Sequence, residues 1–198
     1  MNLWKRYLQG FLFWNISYNK NSRDSFIEII HRITKETGLE FLELIVWNKK
    51  HALPITSKEV LTRQYEDILL AGDTDSIQAA MEFFMVGRND RGAWFNKETQ
   101  KGITNYWEIG TNKTQTENHG ACFPVALPLK GIILMTKEGD IIADPFLGTG
   151  STLIAAEKSQ RICRGMELDP LYVDVIIERW CEYTDTRKIT KNGKTINW

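Results

Sequence analysis

Between residues 141 and 167 the order of residue types leaves the chain few geometries to choose from. The apolar run Ile141-Ile142-Ala143 ends in Asp144-Pro145-Phe146. Pro145 lacks an amide proton and fixes its own φ, so a strand stops there. Gly148 and Gly150 let the backbone turn sharply and approach a ligand with no side chain between. Ser151 and Thr152 suit a helix start, and Leu153 to Lys158 suits its body. A second apolar run from Ile162 closes on an acid, Glu167. This is a βαβ half-unit with a Gly-rich turn at the end of one strand and a carboxylate at the end of the next. A carboxylate in that place commonly holds two ribose hydroxyls, which points to a nucleoside-bearing ligand.

The turn also limits which nucleoside. A dinucleotide fingerprint needs a third glycine at position 153, where this chain has Leu153. A phosphate loop needs Gly-Lys-Ser/Thr, and no basic residue lies between Asp144 and Glu157. A ligand phosphate would meet Asp144 unassisted, so a ligand with a positive centre fits better.

The segment Asp144-Pro145-Phe146-Leu147-Gly148-Thr149-Gly150-Ser151-Thr152 resembles the S-adenosylmethionine motif of amino-group DNA methyltransferases, with Ser151 in place of a threonine. Upstream, His119-Gly120-Ala121-Cys122-Phe123-Pro124 resembles that family's second cofactor motif, with Gly120 in place of a proline. Downstream, Gly165-Met166-Glu167-Leu168-Asp169-Pro170-Leu171-Tyr172 resembles its ribose-binding acid and following helix. The order, cofactor half last, is similar to the permuted beta class, of restriction–modification or phage type. The resemblance implies an α/β, Rossmann-like methyltransferase fold, a mostly parallel sheet with helices on both faces. It implies S-adenosylmethionine as cofactor, held by Phe123, Pro124, Asp144, Pro145, Phe146, Gly148, Gly150, Thr152 and Glu167. In that assignment Asp144 faces the ligand's ammonium group, and Phe123 and Phe146 pack on its apolar faces. It also implies DNA as partner, and methyl transfer to the exocyclic amine of adenine or cytosine.

With 198 residues, one domain is the expectation. Residues 73–118 would be a target-recognition insertion and residues 119–180 the cofactor half. No apolar run approaches the ~18 residues of a membrane span, and Met1 to Arg6 lacks a signal-peptide core. The three cysteines are odd in number and unpaired by spacing, which fits free thiols in the cytoplasm and makes a metal unexpected. The 25 basic and 25 acidic residues cancel, and no region has the basic excess that usually drives DNA affinity. DNA contact must therefore come from local patches, or from a part outside these residues. Trp47-Asn48-Lys49-Lys50 resembles a Trp-x-Lys segment of the family. Arg88, Arg91 and Lys97 alternate with Trp94 and Phe95, a mixture suited to phosphate contact and base stacking. The DNA-contact candidates are thus Lys49, Lys50, Arg88, Arg91 and Lys97.

Along the chain, Leu3 to Leu8 reads as the last turns of a helix and Phe11 to Tyr18 as an aromatic-rich strand. Asp24 can cap a helix with Phe26, Ile29, Ile30 and Ile33 on one side. Phe41 to Trp47 and Tyr65 to Leu70 read as strands, and Met81 to Val86 as a short element of either kind. Val125 to Met135 reads as a helix that tolerates Pro128 in its first turn. Asp169-Pro170 starts a helix with Tyr172, Val173, Ile176, Ile177 and Trp180 on its apolar side, and Asn192-Gly193 is a two-residue hairpin signal.

The family's catalytic signature is Asp, Asn or Ser, then Pro-Pro, then an aromatic; it grips the target amine and stacks on the flipped base. It is absent from these residues. Asp169-Pro170-Leu171-Tyr172 imitates it but belongs to a helix start. Asn15-Ile16-Ser17-Tyr18 sits at a strand end with Ser17 where proline belongs, leaving Asn15 and Tyr18 as weak catalytic candidates. The expectation is a chain that begins after the catalytic strand. Such a chain is a truncated methyltransferase, an inactive cofactor- or DNA-binding remnant, or one half of a two-chain enzyme. The strands on either side of the gap would lose a shared neighbour, which favours a homodimer or a second chain.

Overall fold

The computed structural model describes residues 11–16, 28, 31–32, 35–36, 40–50, 65–72, 105–111 and 122–198. The chain divides into two compact units, residues 1–111 and 112–198. The readings made for Leu3 to Leu8, Tyr18, Met81 to Val86, Arg88, Arg91, Lys97 and His119 lie outside the described residues.

The first unit carries a four-stranded sheet. Strand β1 (Phe11–Ile16) pairs antiparallel with β3 (Tyr65–Gly72), Phe11 opposite Gly72 and Ile16 opposite Asp67. Strand β2 (Glu40–Asn48) pairs antiparallel along the other side of β3, with an irregularity between Phe41 and Glu43. Strand β4 (Tyr106–Glu108) then adds in parallel to β2, giving the order β1-β3-β2-β4. Strands β1, β2 and β4 thus share a direction, and β3 runs counter to them. Side chains alternate across a strand, so Ile45 and Trp47 point to one face of β2, and both are buried, as are Ile68 and Trp107. Helical residues occur where a helix was expected after Asp24, with Arg32 Nε donating to Glu36 Oε1 at 2.9 Å one turn on. Strand β4 falls in the segment read as a target-recognition insertion; at three residues it is too short to show alternation.

The second unit is the βαβ half-unit with its flanking helices. Helix α1 (Ala126–Met135) precedes β5 (Ile141–Asp144), α2 (Ser151–Lys158), β6 (Ile162–Gly165) and α3 (Pro170–Thr184). Strands β5 and β6 run parallel, Ile141 opposite Ile162 and Asp144 opposite Gly165. Ala155 and Ala156 of α2 are wholly buried and, lacking long side chains, let Ile132 of α1 approach; Val125, Leu129, Ile142 and Cys163 close that core. Burial there, with Asp144 nearby, pushes the Cys163 thiol up to about 11, so it stays protonated. The Arg161 guanidinium ties the ends of the two helices, donating to Thr136 Oγ1 at 3.1 Å, to Thr136 O at 2.6 Å and to Ser159 O. Asp169 caps α3 as expected, accepting from Leu171 N at 2.9 Å, with Pro170 in the first position. The chain closes on the hairpin β7 (Lys188–Lys191) and β8 (Lys194–Asn197). Its turn residues Asn192 and Gly193 both have positive φ, 50° and 76°, as a two-residue hairpin turn requires.

Among the described residues β1 pairs only with β3, and β5 only with β6. Each therefore has one backbone edge with no described strand beside it.

Candidate functional site

The site lies where β5 and β6 end, the usual ligand side of an open α/β sheet. Asp144 folds the chain back on itself: its Oδ1 accepts from Phe146 N at 3.0 Å. Pairing between the strands runs on past their ends, through Met166 N to Asp144 O and Leu147 N to Met166 O, both 2.9 Å. That lays Leu147 over Gly165, where an added Cβ would come within 2.5 Å of Leu147 Cδ2. The turn then closes through Gly150 N to Leu147 O at 2.9 Å. Gly148 and Gly150 sit at φ 56° and 82°, the left-handed region that side chains disfavour.

Glu167 latches this turn. Its Oε2 accepts from Gly148 N at 2.7 Å, while Oε1 accepts from Leu168 N at 2.9 Å and Asp169 N at 3.0 Å. The amide of Asp169 first, then those of Gly148 and Leu168, hold the carboxyl below the usual carboxylate range despite partial desolvation. A carboxylate offers about four lone-pair positions, so three amides leave room for a further donor.

The second cofactor motif joins the same turn. Ser151 Oγ donates to Phe123 O at 2.9 Å, and Cys122 Sγ lies 3.3 Å from Thr149 Oγ1. Ser151 therefore does not cap α2. Gly150 holds the cap position, without a side-chain cap bond, and the serine hydroxyl binds the preceding motif instead. Thr149 and Thr152 are buried. From α3, the half-buried Arg179 donates to Thr149 O. Burial lowers the pKa of that guanidinium.

The rim is apolar. Phe146 is 83% exposed, Met166 65%, Leu168 97% and Leu171 75%. Large apolar side chains so open to water at the end of a parallel sheet mark a surface that a ligand can cover. Met166, Leu168 and Leu171 were not among the candidates. The signal available in sequence was an apolar residue on either side of the acid that closes β6.

The other candidates are placed less favourably. Asn15 is exposed on β1, opposite Ile68. Lys49 Nζ stands 5.3 Å from the centre of the buried Trp47 ring, and Trp47 Nε1 donates to Ile109 O at 2.8 Å. Lys50 pairs with Glu108 at 3.7 Å, an exposed contact that contributes little.

A profile of the DNA methylase family, N6/N4 type, matches residues 3–178. The chain belongs to the N6/N4 DNA methylase family. Among its relatives, Type II methyltransferase M.Cfr9I of Citrobacter freundii is 31% identical over 145 residues, 73% of this chain and 46% of that protein. Type II methyltransferase M.MthZI of Methanothermobacter thermautotrophicus is 29% identical over 158 residues, 73% of this chain and 44% of that protein. The chain thus spans about half the length of the curated relatives it matches. Among solved structures, the M1.HpyAVI–SAM complex superposes with a TM-score of 0.66 at 22% identity, covering 86% of this chain and 74% of that one. The cytosine-N4-specific PvuII DNA methyltransferase superposes at 0.64 with 18% identity, covering 88% and 67%. The fold of the chain is that of the S-adenosylmethionine-dependent methyltransferases.

Proposed function

We propose that this chain is the cofactor-binding portion of a DNA methyltransferase that transfers a methyl group from S-adenosylmethionine to the exocyclic amine of adenine or cytosine. One observation carries the reading: the Gly148 turn, the Glu167 carboxylate and the Phe123–Pro124 segment are bonded into a single frame under an apolar rim. The residues present fit such a cofactor. Glu167 has lone-pair capacity left for a ribose hydroxyl, Gly148 keeps the backbone there free of a side chain, and Phe146 and Leu168 offer apolar faces to the purine and the thioether region. When bound, the cofactor supplies an electrophilic methyl on a sulfonium centre. Asp144, half-buried beside the turn, contributes negative charge where the ligand carries its ammonium group, an attraction strengthened by reduced dielectric. The assigned cofactor residues are Phe123, Pro124, Asp144, Pro145, Phe146, Gly148, Gly150, Thr152 and Glu167. Thr152 is buried, so it contributes through packing of the α2 start.

We assign both units to one methyltransferase domain, with residues 73–118 as its target-recognition insertion. Lys49, Lys50, Arg88, Arg91 and Lys97 are the proposed DNA contacts. Among the described residues no helix is long and apolar enough to cross a membrane. A DNA substrate assigns the protein to the cytoplasm.

The grip on the target amine comes from elsewhere, because no Pro-Pro signature occurs in these residues. Among the described residues β1 and β5 are each paired on one side, which favours a further strand beside each, whether from the same polypeptide, a second chain or a second copy. Ultraviolet irradiation with tritiated S-adenosylmethionine, followed by incubation with mixed-sequence duplex DNA, tests both halves of the reading. The 198 residues become labelled, S-adenosylhomocysteine competes with the label and ATP does not, and no methyl reaches the DNA. An unlabelled chain would remove the cofactor reading. Robust transfer to DNA would give Asn15 and Tyr18 the catalytic role, which Asn15→Ala would then abolish.

A further inference from the structure

The hairpin β7–β8 lies beyond residue 178, where the family match ends, and nothing in the cofactor site uses it. From Thr186 to Trp198 it carries Arg187, Lys188, Lys191 and Lys194 and no acidic side chain, in a chain whose charges cancel overall. One of these cations is committed: Arg187 grips Glu178 of α3 with both terminal nitrogens, at 2.6 and 3.0 Å. Trp198 also hydrogen-bonds to that carboxylate, and Trp198 N donates to Arg187 O at 2.8 Å. The clasp holds the base of the ribbon to α3, while Lys188, Lys191 and Lys194 stand exposed on it.

The register places Lys191 directly opposite Lys194, next to the turn. Like charges facing each other across a ladder destabilise a hairpin. The arrangement becomes favourable only when an anion lies against both. On one face the lysines follow Ile189 and Ile196; on the other, Lys188 is joined by Thr190, Thr195 and Asn197, all exposed hydrogen-bonding side chains. A two-stranded ribbon is one of the two shapes that enter the major groove of duplex DNA.

We infer that the β7–β8 ribbon is a second DNA-contacting element, in which Lys188, Lys191 and Lys194 engage the phosphate backbone of a duplex. This rests on the reading of DNA as the substrate. It also offers a local answer to the zero net charge, since affinity for a polyanion follows where the cations stand rather than their sum. Acidic groups of α3 set the orientation: Glu178 and Glu182 face Arg187 at the ribbon's base, so the duplex approaches from the turn end.

Fluorescence anisotropy of a labelled mixed-sequence duplex, measured against salt with the full 198-residue chain, tests it. Each phosphate neutralised contributes about 0.9 to the slope of log affinity against log salt. Lys188→Gln/Lys191→Gln/Lys194→Gln therefore lowers the slope by about 2–3 and weakens binding about tenfold or more at 100 mM salt. The substitutions relieve the Lys191–Lys194 repulsion, so the hairpin itself survives them. Lys137→Gln/Lys158→Gln, which removes exposed charge elsewhere, leaves the slope unchanged. A wild-type slope in the triple variant, an equal per-charge loss in the control, or the same lysine-dependent binding to phosphatidylserine vesicles would overturn the assignment. Absence of duplex binding with cofactor labelling intact removes the ribbon and leaves the cofactor site. Loss of labelling with lysine-dependent duplex binding does the reverse.

Discussion

Gly148→Ala should leave the fold standing and weaken S-adenosylhomocysteine binding about a hundredfold. A Cβ built on Gly148 meets only Phe146 O, at 3.9 Å, an ordinary van der Waals contact, so the fold accommodates it. The cost to the fold is confined to the positive φ of 56°, about 1–2 kcal/mol for an L side chain. In a protein of this size that is a fall of roughly 2–8 °C in melting temperature. In the proposed site the ligand passes the backbone at this turn, where Gly148 N also donates to Glu167 at 2.7 Å. A methyl group there blocks the approach. Overpacking a close contact costs about 1–3 kcal/mol, and its upper end is the hundredfold range. Calorimetric titration beside a circular-dichroism melt checks the two parts separately. Undiminished affinity in Gly148→Ala would place the ligand away from this turn.

Gly150→Ala should do the opposite, damaging the fold first. Its φ of 82° carries the same left-handed penalty, and its Cβ would sit 3.2 Å from both Cγ1 and Cγ2 of Ile176. Ile176 is buried in α3, and a β-branched side chain in a helix has one strongly preferred rotamer, so it cannot swing aside. Overpacking adds about 1–3 kcal/mol to the ~1–2 kcal/mol of backbone strain. The total of about 2–5 kcal/mol lowers the melting temperature by roughly 4–20 °C. Because the clash is specific, Gly150→Ala/Ile176→Ala should be less destabilised than the sum of its single variants, a coupling that thermal melts can measure. Strict additivity would mean that α3 does not pack against this turn.

The two glycines are alike in sequence, and only their neighbours separate a ligand-facing role from a packing role. The same division runs through the chain. Strands β5 and β6, helices α2 and α3 and the Asn192-Gly193 turn were legible because short-range chemistry sets them: Pro145 stops a strand, Asp169 caps a helix, and Asn192 and Gly193 accept positive φ. Contacts over long separations were not legible. The Ser151 hydroxyl looked like a helix cap, but its partner, Phe123 O, is 28 residues back. The threefold amide grip on Glu167 needs the Gly148 turn folded against β6, which the acid's position alone does not convey. Strand β4 exists only because β2 offers it an edge. The ribbon's lysines were hidden by the overall charge balance until the hairpin register put Lys191 opposite Lys194.

The central claim is that the turn after β5 and the end of β6 together hold S-adenosylmethionine. Backbone amide NMR during titration with S-adenosylhomocysteine tests it most directly. The account predicts the largest shifts at Phe146, Gly148, Gly150 and Leu168, with the Gly148 amide reporting the Glu167 carboxylate as it takes up the ribose. Saturable binding that moved none of these amides, or moved only residues of the first unit, would contradict it.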